Sequence, residues 1–561
     1  MHFQQDTATA GQRPETSQAR ATPWEPIVQA ASPAKAGQEN GSRIVLSPFQ
    51  GWVRSFAKPR ALPWAGLWTH LWCLLRATAP VLATTLVLTT ALVRAADPQE
   101  SDYYKITTFE TPKDTALEVS SIELLPGGKL ALGTRRGEIW TVANAQGDPA
   151  KVQYQLFASG QHEVMGLAYK DGALFETNRY EVAKLTDTDG DGRADNFLTV
   201  SDKWGVSGDY HEYAFGSRFD KNGDLWVVLC LTGSFSSNTD FRGWAMRVKP
   251  DGTLVPTCSG IRSPGGMGFD AEGEVYYTDN QGPWHGACTL QHLIPGSFQG
   301  HPGGFKWYDR APNMGPRPVE PNDKSYMVTE RTRVKELVPP VVYLVHGKIG
   351  NSSSFICCDL SKGKFGPFQT QLFIADQSHS NVSRVFVEEV NGIKQGVVIP
   401  FVKGFKSGLI GGRMTEDGQL FAGGSDRGWG AKGGKPYSFE RLDWTGQVPF
   451  EIHEMHARPD GFELTFTEPV DAATAGNPES YKAREFTYLY RAEYGGPEID
   501  DVIPKISKAT VAADKKSVRL TFDKLTKGHI HELHLDGVKS AAGLPVLHPV
   551  AYYTLNEIPA K

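Results

Sequence analysis

The stretch SGIRSPGGMGFDAEGEVYYTDNQGPWHGACTLQHLIPGSFQGHP, residues 259–302, contains one complete strand, turn and strand. The segments GGMGFD and EVYYTDN flank a tight Asp/Gly-type turn, and Val275 and Tyr277 fall on one face of the second strand. A period of two is typical of a β-hairpin. Arg262 precedes the hairpin and a Gln-Gly-Pro corner follows it, so we expect both at the same end of the unit.

The same pattern recurs along the chain. The segments are SIELLPGGKLALGTRRGEIWTV, VMGLAYKDGALFETNRYEVAKL, YAFGSRFDKNGDLWVVLCL, GGMGFDAEGEVYYTDN, QTQLFIADQSHSNVSRVFVEE and LIGGRMTEDGQLFAGGSDRGW, of which the fifth is the most divergent. Such a repeat predicts an all-β fold, a six-bladed β-propeller with long loops between the blades. A series of two-sheet β-sandwiches is the alternative, but it would not need a repeat at this period.

The chain is expected to have three regions. Residues 97–448 carry the repeats, and after them short, strictly alternating strands without a second copy of the hairpin predict an Ig-like β-sandwich over residues 449–561. Residues 1–60 are rich in Pro, Ala, Gln and Ser and have no sustained periodicity, which predicts a disordered leader or an upstream extension from a start codon placed too early. Together with the apolar run that follows, residues 1–96 are expected to form a disordered leader and a signal peptide.

The evidence for a signal peptide is the uncharged apolar run ATAPVLATTLVLTTALV at residues 77–93. Small residues after it predict cleavage between Ala95 and Ala96, and therefore a periplasmic or extracellular protein. An uncleaved membrane anchor is the alternative, although the run is at the short limit for spanning a bilayer.

Composition narrows the function classes. With 59 Gly and 36 Pro the chain suits a turn-rich β protein, and its net charge of -5 offers no basic face for a nucleic acid. Five cysteines remain after removal of the leader, an odd number, so at least one thiol should stay free or pair outside the chain. We expect the adjacent Cys357 and Cys358 to be alternating strand positions rather than a disulfide.

Several motifs around the hairpin indicate a family. An Arg-x-Pro-x-Gly run from residue 262, the hairpin, the Gln-Gly-Pro corner and Pro-Gly-Ser-Phe-x-Gly-His-Pro at residues 295–302 resemble the soluble quinoprotein glucose and sorbosone dehydrogenases. The resemblance covers about residues 102–444 and is nearest to a planctomycete-type subgroup labelled membrane-bound dehydrogenases. It implies a six-bladed propeller that oxidises a sugar or polyol with pyrroloquinoline quinone and calcium, and a separate cytochrome c as electron acceptor.

The resemblance also implies a catalytic base. The segment SGDYHEYAFGSRFDKNGDLWV resembles the one that carries the base in quinoprotein sugar dehydrogenases, and the matching residue is His211. A neutral imidazole suits removal of a hydroxyl proton, because its pKa lies near working pH. Asp209 and Glu212 are candidates to orient the ring. Without the resemblance, a single His would be interpreted as a structural or surface residue.

The cofactor residues match only in part. Arg262 matches the Arg that contacts the quinone and would stabilise charge on its oxygen, and Gly282 and Pro283 match the backbone carbonyl donors to calcium. Ser263 stands where the family has Asn.

The clamp for the quinone's carboxylates also departs from the family. Phe405 and Ser407 stand where the family has two clamping Arg residues, and Lys406 and Arg413 are the nearby cations. A Lys is a point charge and lacks the bidentate fork of an Arg, so Lys406 would replace the clamp only imperfectly. The alternative is therefore a propeller that has lost the cofactor clamp and binds a glycan or a protein without catalysis.

Two other motifs are candidate sites. In DTDGDGRAD, residues 187–195, the carboxylates fit a calcium loop, although position 12 is Leu198 rather than Glu, and a solvated acidic turn is the alternative. The candidate calcium ligands are Asp187, Asp189, Asp191 and Asp195. The loops HGKIGNSSS and GGSDRGWGAKGGKPY are candidates for a sugar-binding rim, unless they are ordinary inter-strand loops. Their candidate residues are His346, Asp426, Arg427 and Trp429.

Overall fold

A computed structural model describes residues 97–428 and 430–560. Helices are short: α1 (Glu100–Tyr103), α2 (Met327–Arg333) and α3 (Ala472–Ala475), with 3-10 turns at Pro126–Gly128, Pro149–Lys151, Pro302–Arg310, Pro312–Met314 and Pro478–Ser480. Nearly all other regular structure is β-strand, which confirms the predicted all-β class.

The first half of the strands runs in chain order through four sheets. These strands are β1 (Tyr104–Thr108), β2 (Val119–Leu125), β3 (Lys129–Thr134), β4 (Glu138–Ala143), β5 (Gln153–Ser159), β6 (Gly166–Lys170), β7 (Ala173–Thr177), β8 (Val182–Thr186), β9 (Asn196–Ser201), β10 (Ala214–Phe219), β11 (Leu225–Leu229), β12 (Trp244–Val248), β13 (Leu254–Ser259), β14 (Pro264–Phe269), β15 (Val275–Asp279), β16 (Cys288–His292) and β17 (Val342–Leu344). After β1, they form the sheets β2–β5, β6–β9, β10–β13 and β14–β17, each antiparallel.

The remaining strands complete the ring and add two C-terminal sheets. They are β18 (Ser353–Cys358), β19 (Leu372–Asp376), β20 (Asn381–Val390), β21 (Ile393–Lys403), β22 (Leu409–Met414), β23 (Gln419–Ser425), β24 (Tyr437–Trp444), β25 (Ile452–Arg458), β26 (Gly461–Phe466), β27 (Lys482–Thr487), β28 (Ile499–Val502), β29 (Ile506–Val511), β30 (Ser517–Phe522), β31 (His529–His534) and β32 (Val550–Leu555). Strands β18–β21 form one antiparallel run, and β22–β24 form a sheet that β1 joins.

The first strands of successive sheets neighbour one another in a ring. Strand β2 lies beside β6, β6 beside β10, β10 beside β14, β14 beside β18 and β18 beside β22, which returns to β2. Strand β1, from the start of the described chain, pairs with β24 and so supplies the outer strand of the last sheet. This arrangement is consistent with a β-propeller.

The hairpin quoted first is formed by β14 and β15. Its turn is closed by Asp270, whose Oδ1 accepts the N–H groups of Glu272 at 3.0 Å and Glu274 at 2.8 Å. Gly273 has φ +82°, a conformation that favours glycine. The fifth predicted segment differs from the structure: it corresponds to β19 and β20, whereas the first strand of that sheet is the preceding SSFICC, β18.

The C-terminal strands form two sheets around a shared core. One sheet is β25, β26, β30 and β29, and the other, β32, β31, β27 and β28, continues directly from β21. Phe462 and Leu520 of the first sheet share a hydrophobic cluster with Tyr553 of the second and with Val397 of β21. All described residues belong to one compact unit.

Two findings bear on the earlier expectations. Within the described chain no helix is long and apolar enough to cross a membrane, and the apolar run at residues 77–93 lies outside the described residues. Cys230, Cys258, Cys288, Cys357 and Cys358 are all free thiols. The prediction of a free thiol is therefore confirmed, and Cys357 and Cys358 are adjacent positions of β18.

Candidate functional site

A cavity of about 230 Å³ opens at one end of the ring of first strands. It is lined where those strands begin, for example by Pro264 of β14 and Ser353 of β18. Among the described residues, the lining has no Asp or Glu. It is made of cations, amides, hydroxyls and apolar groups, namely Arg135, His211, Arg262, Asn280, Gln281, Asn351, Gln377, Ser234, Ser263, Ser352, Ser353, Ser354, Tyr213, Tyr494, Phe215, Phe235, Met165, Ile410 and the backbone of Gly233, Pro264 and Gly265.

Arg262 is held in this cavity by the backbone of the hairpin corner. It is only 3% exposed, and its Nη1 donates to the carbonyls of Asn280 at 3.1 Å and Gln281 at 2.7 Å. Its Nε is buried without a hydrogen-bond partner among the described residues. A buried donor without a partner costs free energy; this Nε lies next to the backbone of Gly282, where a Cβ would be 2.0 Å away.

Asp279, at the end of β15, fixes the backbone beneath the cavity. Its two carboxylate oxygens accept the N–H groups of Arg262 at 2.9 Å and Ser263 at 2.7 Å. The His285 Nε2 lies 3.6 Å from Asp279. Burial lowers the pKa of His285, which therefore remains neutral at pH 7.

The Gly-Pro corner is bonded differently from what the resemblance implies. The Gly282 carbonyl accepts two backbone hydrogen bonds, from His285 and from Gly495, both at 3.0 Å. Pro283 forms an isolated β-bridge with Tyr494. A carbonyl has two lone pairs, so calcium at Gly282 would have to displace one of these bonds.

His211 also lines the cavity. Its side chain is 34% exposed, and Nδ1 lies 3.7 Å from Asp209 Oδ1. Although burial opposes the shift, the backbone N–H groups of Gly233 and His211 hold the pKa of Asp209 below its usual value. Asp209 is thus a carboxylate beside the ring, whereas Glu212 bonds Ser207 and Thr232 instead.

Buried arginines fix the loop that carries His211. Arg179 donates to the carbonyls of Asp209 at 2.8 Å and Tyr210 at 2.7 Å, and its Nε donates to Glu163 at 2.6 Å. Arg242 donates to the carbonyl of Glu212 at 2.8 Å. The backbone on both sides of His211 is therefore fixed by guanidinium groups.

The other predicted cofactor residues lie away from the cavity. Lys406 is exposed and is not among the lining residues. Phe405 and Ser407 are buried, and the Ser407 hydroxyl bonds Ser438 at 2.7 Å. Arg413 pairs with Glu123 at 3.0 Å and lines a different cavity. Lys406, the predicted substitute in the cofactor clamp, therefore lies outside the lining of this cavity.

The predicted rim is only partly placed at the cavity. His346, Asp426 and Arg427 are exposed and do not line it, and Trp429 lies outside the described residues. Arg427 pairs instead with Glu118 at 3.1 Å. The HGKIGNSSS loop does reach the cavity, but through its last four residues, Asn351, Ser352, Ser353 and Ser354.

The acidic loop is remote from the cavity lining. Asp187, Asp189 and Asp195 each place a carboxylate oxygen within 4.8 Å of the others, and Asp191 is not part of this cluster. Asp187 also accepts the N–H of Gly190 at 2.7 Å, as a turn carboxylate does. The geometry is compatible with either a calcium loop or an acidic turn.

Sequence reasoning missed all four lining aromatics, Tyr213, Phe215, Phe235 and Tyr494. Tyr494 lies in the C-terminal region, on the loop between β27 and β28. The Arg262 Cζ is 5.1 Å from the Tyr494 ring centroid and 6.0 Å from that of Phe235. An aromatic beside Gly, as in Gly-Ser-Phe and Tyr-Gly-Gly, is a local signal of a loop aromatic, but nothing in the sequence assigns Tyr494 to this cavity.

Comparison with known proteins adds the following similarities. A family model described as a domain of unknown function (DUF7133) matches residues 123–395. No curated protein matches the chain. A glucose dehydrogenase-type oxidoreductase from Thermus thermophilus is 16% identical, covering 60% of this chain and 99% of its own, with a TM-score of 0.43.

Two further solved structures are similar. The PQQ-bound aldose sugar dehydrogenase of Streptomyces coelicolor is 15% identical over 62% of this chain and 100% of its own, with a TM-score of 0.42. The holo PQQ domain of pyranose dehydrogenase from Coprinopsis cinerea is 12% identical over 62% of this chain and 99% of its own, with a TM-score of 0.39.

Proposed function

We propose that this chain is a six-bladed propeller followed by an Ig-like sandwich, exported to the periplasm or beyond, that oxidises a hydroxyl of a sugar or polyol with a quinone cofactor. The observation that supports the proposal is that His211 and Arg262 line one cavity without a carboxylate among its described lining residues. A base for the substrate hydroxyl and a cation for the electron acceptor are thereby held within one small space.

The lining fits the anionic part of pyrroloquinoline quinone. Arg262, Arg135 and His211 are the basic groups of the cavity lining. The lining fits calcium less well, because the Gly282 carbonyl already accepts two backbone N–H groups. Arg262, Ser263 and the amide of Asn280 are the groups that would hold the quinone.

The protein's own residues would act as follows. His211 takes the proton of the substrate hydroxyl as the carbinol becomes a carbonyl, and the adjacent Asp209 carboxylate stabilises the imidazolium that forms. Arg262 places a fixed positive charge where negative charge develops on the acceptor. When bound, pyrroloquinoline quinone supplies the two-electron acceptor for the hydride that leaves the carbinol carbon.

A second candidate is a non-catalytic propeller that binds a glycan or a protein partner. The positions that match the quinone's arginine clamp are Phe405 and Ser407, both buried, and Lys406 is outside the cavity. A cavity with this lining can bind a hydroxylated ligand without a cofactor.

Reconstitution distinguishes the two candidates. Purified mature protein is incubated with pyrroloquinoline quinone and Ca²⁺, and the cofactor absorbance is followed on addition of glucose, other hexoses and polyols. Reduction of the cofactor, followed by reduction of an added cytochrome c, is expected for the oxidoreductase. Sugar binding by calorimetry without any reduction of bound cofactor would favour the binding protein.

A further inference from the structure

We propose that the C-terminal region completes the cavity, and that Tyr494 and Phe235 form a stacking site for the apolar face of a cyclic sugar. The inference rests on the proposed function in taking the cavity as a sugar site. It narrows the substrate class from sugars and polyols in general to sugars in ring form.

The exposure of the two rings is the first observation. Phe235 is 58% exposed and Tyr494 is 57% exposed, and no other aromatic side chain of the described chain is as exposed. Both line the same cavity, and their ring centroids are 6.4 Å apart. Exposed apolar surface that is concentrated at a concave polar site indicates a ligand-binding surface.

Tyr494 is held in place by the ring of sheets. Its neighbour Gly495 donates to the Gly282 carbonyl at 3.0 Å, and Trp284 donates to the Arg491 carbonyl at 2.7 Å. The Arg491 Nε in turn donates to the Gly495 carbonyl at 2.7 Å. The loop is therefore docked on the corner that follows β15, and the backbone on both sides of Tyr494 is fixed.

Phe235 is connected to the candidate base. Asp209 Oδ1 accepts the N–H of Gly233 at 2.8 Å, two residues before Phe235, and also the N–H of His211 at 2.8 Å. One carboxylate thus fixes both the loop with the aromatic ring and the loop with the base. His211 and both rings line the same cavity.

The polar neighbours complete the recognition of a sugar. Asn280, Gln281 and Ser263 line the same cavity and offer amide and hydroxyl groups. A pyranose ring presents C–H groups on one face and hydroxyls around its edge, so it can use both aromatic rings and amide groups. An open-chain polyol has no fixed apolar face and would lose conformational entropy on ordering.

Matched ligands test the proposal without a cofactor. Glucose, galactose and mannose are compared with their open-chain alditols, glucitol, galactitol and mannitol, by calorimetry and by saturation-transfer NMR on the purified chain. At least one hexose should bind about tenfold more tightly than its alditol, with saturation transferred mainly to the C–H protons of the ring. Tyr494→Ala and Phe235→Ala should each weaken the binding of that hexose roughly five- to tenfold.

Phe197→Ala is the matched control, because Phe197 is 48% exposed and does not line the cavity. The proposal is overturned if no hexose binds, if the alditols bind as tightly as the hexoses, or if Tyr494→Ala binds the hexose as the unchanged protein does. Hexose binding that depends on Tyr494, in a protein that never reduces a quinone, would support this inference and refute the proposed oxidation.

Discussion

The guanidinium of Arg262 lies directly against the backbone of Gly282. A Cβ at position 282 would be 1.9 Å from the Arg262 Cζ, so no side chain fits there without moving the arginine. The glycine of the Gln-Gly-Pro corner therefore has a definite role in this chain: it makes room for the cation of the cavity.

Gly282→Ala should displace Arg262 while leaving the sheets intact. A misplacement of about 1 Å can lower turnover by about 10², and we expect a loss of that order in the reconstituted protein. Gly147→Ala is the control, because the nearest atom to its new Cβ, the Asn144 carbonyl oxygen, would be 3.7 Å away. Full turnover in Gly282→Ala would contradict a role for Arg262.

His211→Ala should remove most of the turnover. A general base contributes about 10² to 10⁴ in rate, and the side chain is 34% exposed, so the melting temperature should change little. His346→Ala is the control, because His346 is exposed and outside the cavity. Unchanged turnover in His211→Ala would leave the binding protein as the better candidate.

The acidic loop makes a prediction about calcium. If Asp187, Asp189 and Asp195 hold Ca²⁺, the ion at about 100 times its Kd should stabilise the fold by about 2.7 kcal/mol. Asp189→Asn should abolish the rise in melting temperature that Ca²⁺ causes. Asp191→Asn should preserve this rise, because Asp191 is outside the cluster. A melting temperature that chelator does not change would identify the loop as a turn only.

A buried histidine predicts how stability depends on pH. Against the opposing effect of burial, Glu451 and Glu100 raise the pKa of His548 to about 9. Because the folded pKa is above the unfolded one, the stabilisation is complete below about pH 6.5 and is lost as pH rises toward 9. Its size is on the order of 3 kcal/mol.

The measurement is the free energy of unfolding at about pH 6 and about pH 9.5, on either side of this range. His548→Gln should reduce the decrease in the free energy of unfolding between the two pH values. The pKa of His456 is also raised to about 9, because Glu388 and Glu454 outweigh the opposing effect of burial. His456 should therefore account for part of the pH-dependent loss of stability that remains in His548→Gln. Equal pH dependence in His548→Gln and the unchanged protein would show that His548 does not contribute.

Export is tested at the N-terminus. Protein recovered from its host should begin at Ala96, because small residues follow the apolar run of residues 77–93. Edman sequencing or intact mass decides it. Soluble cytoplasmic protein that retains Met1 would contradict the prediction.

The strands were predictable because their signal is local. Alternation around Asp270 and Gly273 defines a hairpin whatever the rest of the chain does. Lys406 lies instead in the loop between β21 and β22, between the buried Phe405 and Ser407, where strand alternation gives no guide to its direction.

The composition of the cavity was only partly predictable. His211 and Arg262 were singled out through a resemblance, and the structure places both on one cavity. Tyr494 could not be found, because it reaches Pro283 from a distant part of the sequence and nothing local marks that pairing. Contacts between distant loops depend on tertiary packing, which periodicity does not report.

The pairing of β21 with β32 has a consequence for attempts to shorten the protein. Gly396, Val397 and Val398 of β21 pair with Thr554, Tyr553 and Tyr552, so the last strand of the chain covers the edge of a long apolar strand. Truncation after residue 448 would bare that edge, and unpaired strand edges promote intermolecular pairing. A shortened chain should therefore aggregate, even though every strand of the ring would still be present.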